Sequence, residues 1–534
     1  MAAAAVSRGG NATEELSPYR WIVLVGLITA AILEVLDTTI VNVSLPQMAG
    51  NLGATQEEIG WVSTGYILSN VIVLPMTAWL SSRFGRKRYL VGSILLFLVA
   101  SFFCGTSHSL VELVFWRIVQ GSGGAALLST AQATLREIFP REQQGIVQSI
   151  YILGIIVAPT VGPTLGGWIT DNYSWPWVFF VNIPIGLTSA FIVWTFLSDA
   201  KFTVPTTRID TPGILLLAVG LGSLQYVLEE GQQDLWFESA LITRLSILSG
   251  VCLIALVAWE LSPRNVQPVV NFRVMKNRAF AAALALFMSL GFGLYGGIFI
   301  FPLFAQNILG FNATVTGLVL LPGGIATGIG ALVCGRLLNG PKALVNPRIL
   351  IYLGMALFTL SMWDLGHLTT LSGEMDTRFS LIIRGLGLGF LFTPINVAAF
   401  SSLKGAEIAQ GAGLINLARQ LGGSFGIAYL NNYITQQTAF HRNVLVTYLY
   451  PQNPIFYQRM QAISQGLMHR GYSAAAAQQA ALGILNGTVE KQALTMSFND
   501  AFLLIGLCVV FVAPAALLLR VEQRKAPSSA EMAH

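Results

Sequence analysis

The chain reads as an all-α polytopic membrane protein with about fourteen transmembrane helices. Two observations carry that reading. Of its 534 residues 54% are hydrophobic and only 10% charged, with a mean hydropathy of +0.65, whereas a soluble domain carries about 25% charged residues. Apolar runs also recur at the roughly 20 residues that a helix needs to cross a bilayer. A third observation orients the molecule. The basic stretch Arg83-Phe84-Gly85-Arg86-Lys87-Arg88 lies in the short loop after the second run, and fixed positive charge in such a loop stays cytoplasmic.

The elements follow in order. Residues 1–20 are a short polar tail. The apolar run after it is too long for a signal-peptide core and lacks a clear cleavage site, so it should remain as span one. Spans are expected at 21–45, 59–80, 89–107, 111–135, 146–168 and 178–197, making a first half over 21–197. Two inserted linker spans, 212–229 and 241–261, are short or interrupted and occupy 212–261. A second half over 279–520 holds spans at 279–305, 313–335, 348–367, 380–402, 409–436 and 497–520, followed by a tail at 521–534.

Charge supports this count. Arg83, Arg86, Lys87, Arg88, Arg136, Arg141, Lys201, Arg208, Arg264, Arg273, Lys276, Arg278, Arg336, Lys342, Arg348, Lys404, Arg520, Arg524 and Lys525 fall on one side. The break at 230–240 on the other side holds Glu230, Asp234 and Glu238. Losing one span would reverse every later loop, so both termini are expected in the cytoplasm. The net charge of +5 serves topology, with no nucleic-acid partner expected. The one long loop, 437–496, lies outside and reads as a helical hairpin over 455–469 and 473–492 with Gly471 between. It is either a solvated helical hairpin or a docking surface for a partner protein, since a loop this long is often functional. Arg117-Ile118-Val119-Gln120-Gly121 in span four and Arg384-Gly385 in span twelve form a weak internal repeat. Two halves about a central site are a transporter architecture.

Ionisable groups inside spans are costly and therefore informative. Span one holds Glu34 and Asp37, three apart and so on one helical face, with Thr38 and Asn42 beyond them. Span four holds Arg117, span twelve Arg384, and span thirteen Asn416, Arg419 and Gln420. At about 1.5 Å per residue Asp37 and Arg117 lie at similar depth, so an acid–base pair across a cavity is expected. Burial and a nearby guanidinium act on such a carboxylate in opposite senses, which suits a proton site. Asp37, Glu34 and Arg117 are the proton-coupling candidates. Span five carries Gly154, Pro159, Gly162, Pro163, Gly166 and Gly167, where small residues allow close helix approach and proline bends the helix. Trp175 and Trp177 fit an interfacial belt. No phosphate-binding glycine loop, metal pattern or catalytic constellation appears, so ATP drive, a bound cofactor and an enzyme activity are not expected.

These motifs together resemble the major facilitator superfamily over nearly the whole chain. Ala78 to Arg88 is similar to its loop signature, with Ala78 and Ser82 replacing a glycine and an aspartate; Arg83, Gly85 and Arg86 are the matching gate positions. Leu36 to Pro46, Arg117 to Gly121, the span-five glycines and prolines, and Trp175 to Gly186 resemble the fourteen-span drug:proton antiporter branch, and within it the EmrB type. The resemblance implies a major facilitator fold of two six-helix halves with two inserted helices. It implies proton-coupled export of hydrophobic or amphipathic drugs across a bacterial inner membrane. It also implies a periplasmic adaptor of the EmrA type and an outer-membrane channel of the TolC type. Substrate contacts are expected among Asn42, Gln120, Phe292, Tyr295, Phe299, Arg384, Phe392, Asn396, Asn416 and Arg419. A fatty-acid or siderophore exporter is the alternative within transport, and a non-transporting sensor the alternative outside it.

Overall fold

The computed structural model describes residues 18–55, 58–198, 209–338, 345–403, 405, 407–450 and 453–519. The tails, and with them Lys201, Arg208, Lys342, Lys404, Arg520, Arg524 and Lys525, lie outside the described residues, as does the side chain of Pro163.

Fifteen long helices order the described chain. They are α1 (Arg20–Leu52), α2 (Glu58–Phe84), α3 (Arg86–Gly105), α4 (Leu110–Ile138), α5 (Gln144–Asn172), α6 (Trp177–Phe196), α7 (Thr211–Glu230) and α8 (Ala240–Leu261). Then come α9 (Arg278–Asn307), α10 (Ala313–Leu338), α11 (Pro347–Leu365), α12 (Glu374–Ser401), α13 (Glu407–Val446), α14 (Pro454–Met468) and α15 (Ala474–Phe511). Eleven of them are long and apolar enough to cross a membrane. The expected fourteen is therefore met by eleven on that measure. Helices α4, α5 and α13 are no shorter, at 29, 29 and 40 residues. On α4 and α13 the apolar pattern is interrupted by the polar side chains of the central site.

The break between α2 and α3 is made by Gly85, at φ +85° and ψ 138°. A side chain is strained there, so glycine turns the chain where the basic loop needs it. Arg86, next in line, is buried and forms an ion pair with Glu137 at the end of α4, while Arg83 is exposed. Ser82 hydroxyl donates back to the Ala78 carbonyl (2.9 Å). Arg86–Glu137 thus clasps the basic loop, joining α3 to α4.

Helix α1 packs on α4, α5 and α6, and α4 packs on α2 and α3. In the later part α9 packs on α13, and α10 and α11 on α12. Two apolar cores lie within the first six helices, and a third gathers the later helices and reaches back to Val71, Ala133 and Ile152. The two sets meet where α5 crosses α10 and α12, and where α4 meets α13. Helices α7 and α8 pair with each other, and α7 lies against α2 and α13.

The long loop differs from its expected form. The helix over 473–492 and the last span are one continuous helix, α15, and α13 runs on to Val446. Nothing between Ala474 and Phe511 breaks a helix, and its alanines, leucines and glutamines favour one. Thr438 to Ser497 (3.0 Å) and His441 to Asp500 (2.7 Å) tie the two extensions together. Gly471, at φ +95°, makes the expected turn after α14.

Candidate functional site

Asp37 and Arg117 meet at the centre of the first six helices. Arg117 Nη1 lies 2.5 Å from Asp37 Oδ2, and both side chains are sealed from solvent, at 1% and 0% exposure. The pair is over-determined. Arg117 Nε donates to the Val62 carbonyl on α2 (2.9 Å), and its Nη1 also donates to Gln120 Oε1 (2.6 Å). The guanidinium carbon sits 4.4 Å from the Tyr66 ring centre. Asp37 Oδ1 accepts from Gln120 Nε2 and from Asn182 Nδ2, each at 2.9 Å, and both amides also reach Ser101 Oγ. Groups from five helices, α1, α2, α3, α4 and α6, therefore meet in this cluster. Truncating one partner of such a pair leaves a buried charge uncompensated, which typically costs about 3–5 kcal/mol.

Glu34 lies one turn earlier on α1 and faces different partners. Its oxygens accept from Asn70 Nδ2 (3.3 Å) and from the Leu128 amide (3.1 Å), while Tyr151 Oη donates to the Leu128 carbonyl (2.8 Å).

The span-five glycines form the seat of α1. A side chain on Gly166 would come within 2.7 Å of the Ile40 carbonyl, and those on Gly162 and Gly154 would strike Thr39 and Ile28. Gly167 is looser, with Val43 the nearest neighbour at 3.7 Å, and Pro159 lines a central cavity. Close backbone approach of α5 to α1 thus sets the position of Asp37.

A second polar cluster joins the two sets of helices. Gln132 on α4 donates to Asn396 Oδ1 on α12 (2.5 Å) and accepts from Asn416 on α13 (3.1 Å), which in turn accepts from Arg419 (3.2 Å). Nearer the basic loop Arg136 donates to the Asn396 carbonyl (3.0 Å), and Ser149 to the Ala331 carbonyl (2.6 Å). The interface is thereby closed at the basic end. Along α1 in the other direction Val35 and Thr38 are half-buried and Asn42 is exposed. A narrow cavity of about 70 Å³ lies on this side, with Tyr295, Arg384, Phe392 and Arg419 in its wall.

The expected substrate residues fall in different places. Tyr295, Arg384, Phe392 and Arg419 line that cavity, and Asn396 and Asn416 line a smaller one that shares Phe392 and Arg419. Gln120 is enclosed in the Asp37 cluster, and Asn42 accepts from Ser63 (2.7 Å). Phe292 packs against Gly426 between α9 and α13, and Phe299 against the later core. Ser101, Asn182, Asn70 and Gln132 are the polar partners the sequence reading missed. Each is a hydrogen-bonding side chain in an apolar run, the same signal that drew attention to Asp37. Among the described residues no group of His, Cys, Asp and Glu side chains is placed to hold a metal.

The family model of the Major Facilitator Superfamily matches residues 27–427. The chain belongs to the major facilitator superfamily. It is a multi-pass membrane transporter, as that family and its full-length relatives are. Among curated major facilitator relatives, it is 33% identical to "Multidrug export protein EmrB" of Haemophilus influenzae, over 94% of this chain and 98% of that protein. It is 31% identical to "Fatty acid resistance protein FarB" of Neisseria gonorrhoeae, over 94% and 96%. Among solved structures the proton:xylose symporter XylE matches with a TM-score of 0.56 at 12% identity, covering 93% of this chain and 94% of that one. That likeness shows the major facilitator fold.

Proposed function

We propose that the chain is a proton-driven exporter of hydrophobic and amphipathic small molecules, with no bound cofactor. The observation that carries this reading is the sealed Asp37–Arg117 pair, held by four further helix-borne groups. Similarity over nearly the full chain to a multidrug export protein supports the export direction. Proton arrival neutralises Asp37 and dissolves its ion pair with Arg117. The guanidinium keeps the Val62 carbonyl, Gln120 and the Tyr66 ring as partners, so it stays in place while α1 is released. Loss of the proton on the other side draws α1 back. Rocking of the two halves about the central site then alternates access. Glu34, facing Leu128 and Asn70, is the second acid in reach of this movement. Each proton entering down a 100 mV potential contributes about 2.3 kcal/mol, so one or two drive modest accumulation outside.

In this reading the membrane is a bacterial inner membrane, and the basic face with both termini is cytoplasmic. The α14–α15 hairpin stands in the periplasm, where it meets an adaptor of the EmrA type that leads to a channel of the TolC type. The relative named for fatty acid resistance supports an acid-lipid exporter as the second reading. The deciding test is flux in proteoliposomes under an imposed pH gradient. Wild-type protein is expected to move lipophilic probes in a gradient-dependent way, and Asp37→Asn to lose this flux while remaining folded. Flux surviving the substitution would transfer the coupling role to Glu34. A folded protein that binds probes without flux would indicate a sensor.

A further inference from the structure

The geometry points to an anion subsite in the central cavity, in which Arg384 and Arg419 bind the acidic head of an amphipathic substrate while its tail lies on the apolar wall. This names the substrate class of the proposed exporter and rests on that reading.

The two arginines differ from Arg117 in what surrounds them. Arg117 is neutralised at 2.5 Å by Asp37. Arg384 is buried, and its one hydrogen bond among the described residues is long, 3.4 Å to the Gly297 carbonyl. Arg419 is also buried; its Nη2 reaches Asn416, but its Nε is enclosed without a partner. Among the described residues neither forms an ion pair with a carboxylate. Glu34 is the acid whose charge reaches Arg419, yet its two oxygens are occupied by Asn70 and the Leu128 amide. No acidic side chain lines the cavity.

A guanidinium taken out of water without a counter-ion is expensive. Two of them in one wall create a strong positive potential, which attracts an anion and repels a cation in a low-dielectric space. The planar donor fork of arginine matches a carboxylate. The rest of the wall, with Val35, Leu294, Leu320, Leu388 and Phe392, is apolar. The enclosed space is small, about 70 Å³, so the wall must open to admit the body of a substrate. Carboxylate head and hydrocarbon or aryl body together describe an amphipathic monoanion. The potential also favours such a substrate, because an anion leaving an inside-negative cell moves down the field.

The test compares three probes of one shape, 2-naphthoate, 2-naphthylmethylammonium and 2-naphthamide, bound to the full-length protein in nanodiscs and followed by calorimetry. Naphthoate is expected to bind at least tenfold tighter than the ammonium. Arg384→Gln should remove that preference, with amide binding changed less than twofold, and Arg384→Lys should restore part of it. Gly297→Ala tests position rather than charge. Its methyl would stand 3.2 Å from the Arg384 guanidinium carbon and displace it, so naphthoate binding should weaken several-fold. Should Arg384→Gln fail to fold, Arg419→Gln and Gly297→Ala carry the same comparison. Equal or tighter ammonium binding, or naphthoate binding unmoved by these variants, overturns the subsite. Flux separates the two proposals. Gradient-driven transport of the ammonium and not of naphthoate sinks the anion subsite and leaves the exporter. Arginine-dependent naphthoate binding without flux of any probe supports the subsite and sinks the exporter.

Discussion

Asp37 accepts from three side-chain donors, Arg117, Gln120 and Asn182, and the last of these comes from a helix 145 residues away in sequence. The acid and the arginine were legible in the sequence because an ionised group in an apolar run is conspicuous. Asn182 and Ser101 were not, because a neutral polar residue costs less and is common in spans. Asn182 donates a hydrogen bond to a charge, a bond worth about 1.5–3 kcal/mol. Asn182→Ala is therefore expected to lower the heat-unfolding midpoint and to reduce gradient-driven flux about tenfold, with substrate binding retained. Unchanged flux alongside a lowered midpoint would leave Asn182 a purely structural partner.

At the scale of elements, α5 holds α1 through bare backbone. A methyl on Gly166 would stand 2.7 Å from the Ile40 carbonyl oxygen, closer than a carbon–oxygen contact allows. Overpacking of this kind costs about 1–3 kcal/mol, so Gly166→Ala should destabilise the protein and impair transport. Gly167→Ala, with 3.7 Å to Val43, should be tolerated. The comparison by thermal unfolding checks whether close approach, rather than glycine content, is what α5 supplies. Span limits were readable to within a few residues where polar breaks bound them, as at α7 and α8. They failed at α13 and α15. The helices there outrun the bilayer, and hydropathy marks where lipid ends, not where a helix does.

The whole molecule is closed at its basic end by Gln132, Asn396 and Asn416, with Arg136 beneath them. Alternating access requires this seal to part. In a background with the four native cysteines replaced, Gln132→Cys combined with Asn396→Cys should cross-link through two mixed disulfides with a short bis-methanethiosulfonate, each thiol displacing sulfinate, and stop transport. A reducing agent should restore it. Transport that continues in the cross-linked protein would place the moving interface elsewhere.

The sequence by itself determined the class of the fold and the residues too costly to be idle in lipid. These are properties of single segments, because hydropathy and charge act on each span before it has neighbours. Only the tertiary structure decided which groups meet. It set Glu34 apart from Asp37 although they share a helical face, because different neighbours close over each acid. It turned Gln120 inward and left Arg384 and Arg419 without ion pairs in a cavity wall. Partner choice depends on how helices tens to hundreds of residues apart are rotated and pressed together, and no local pattern in the chain records that.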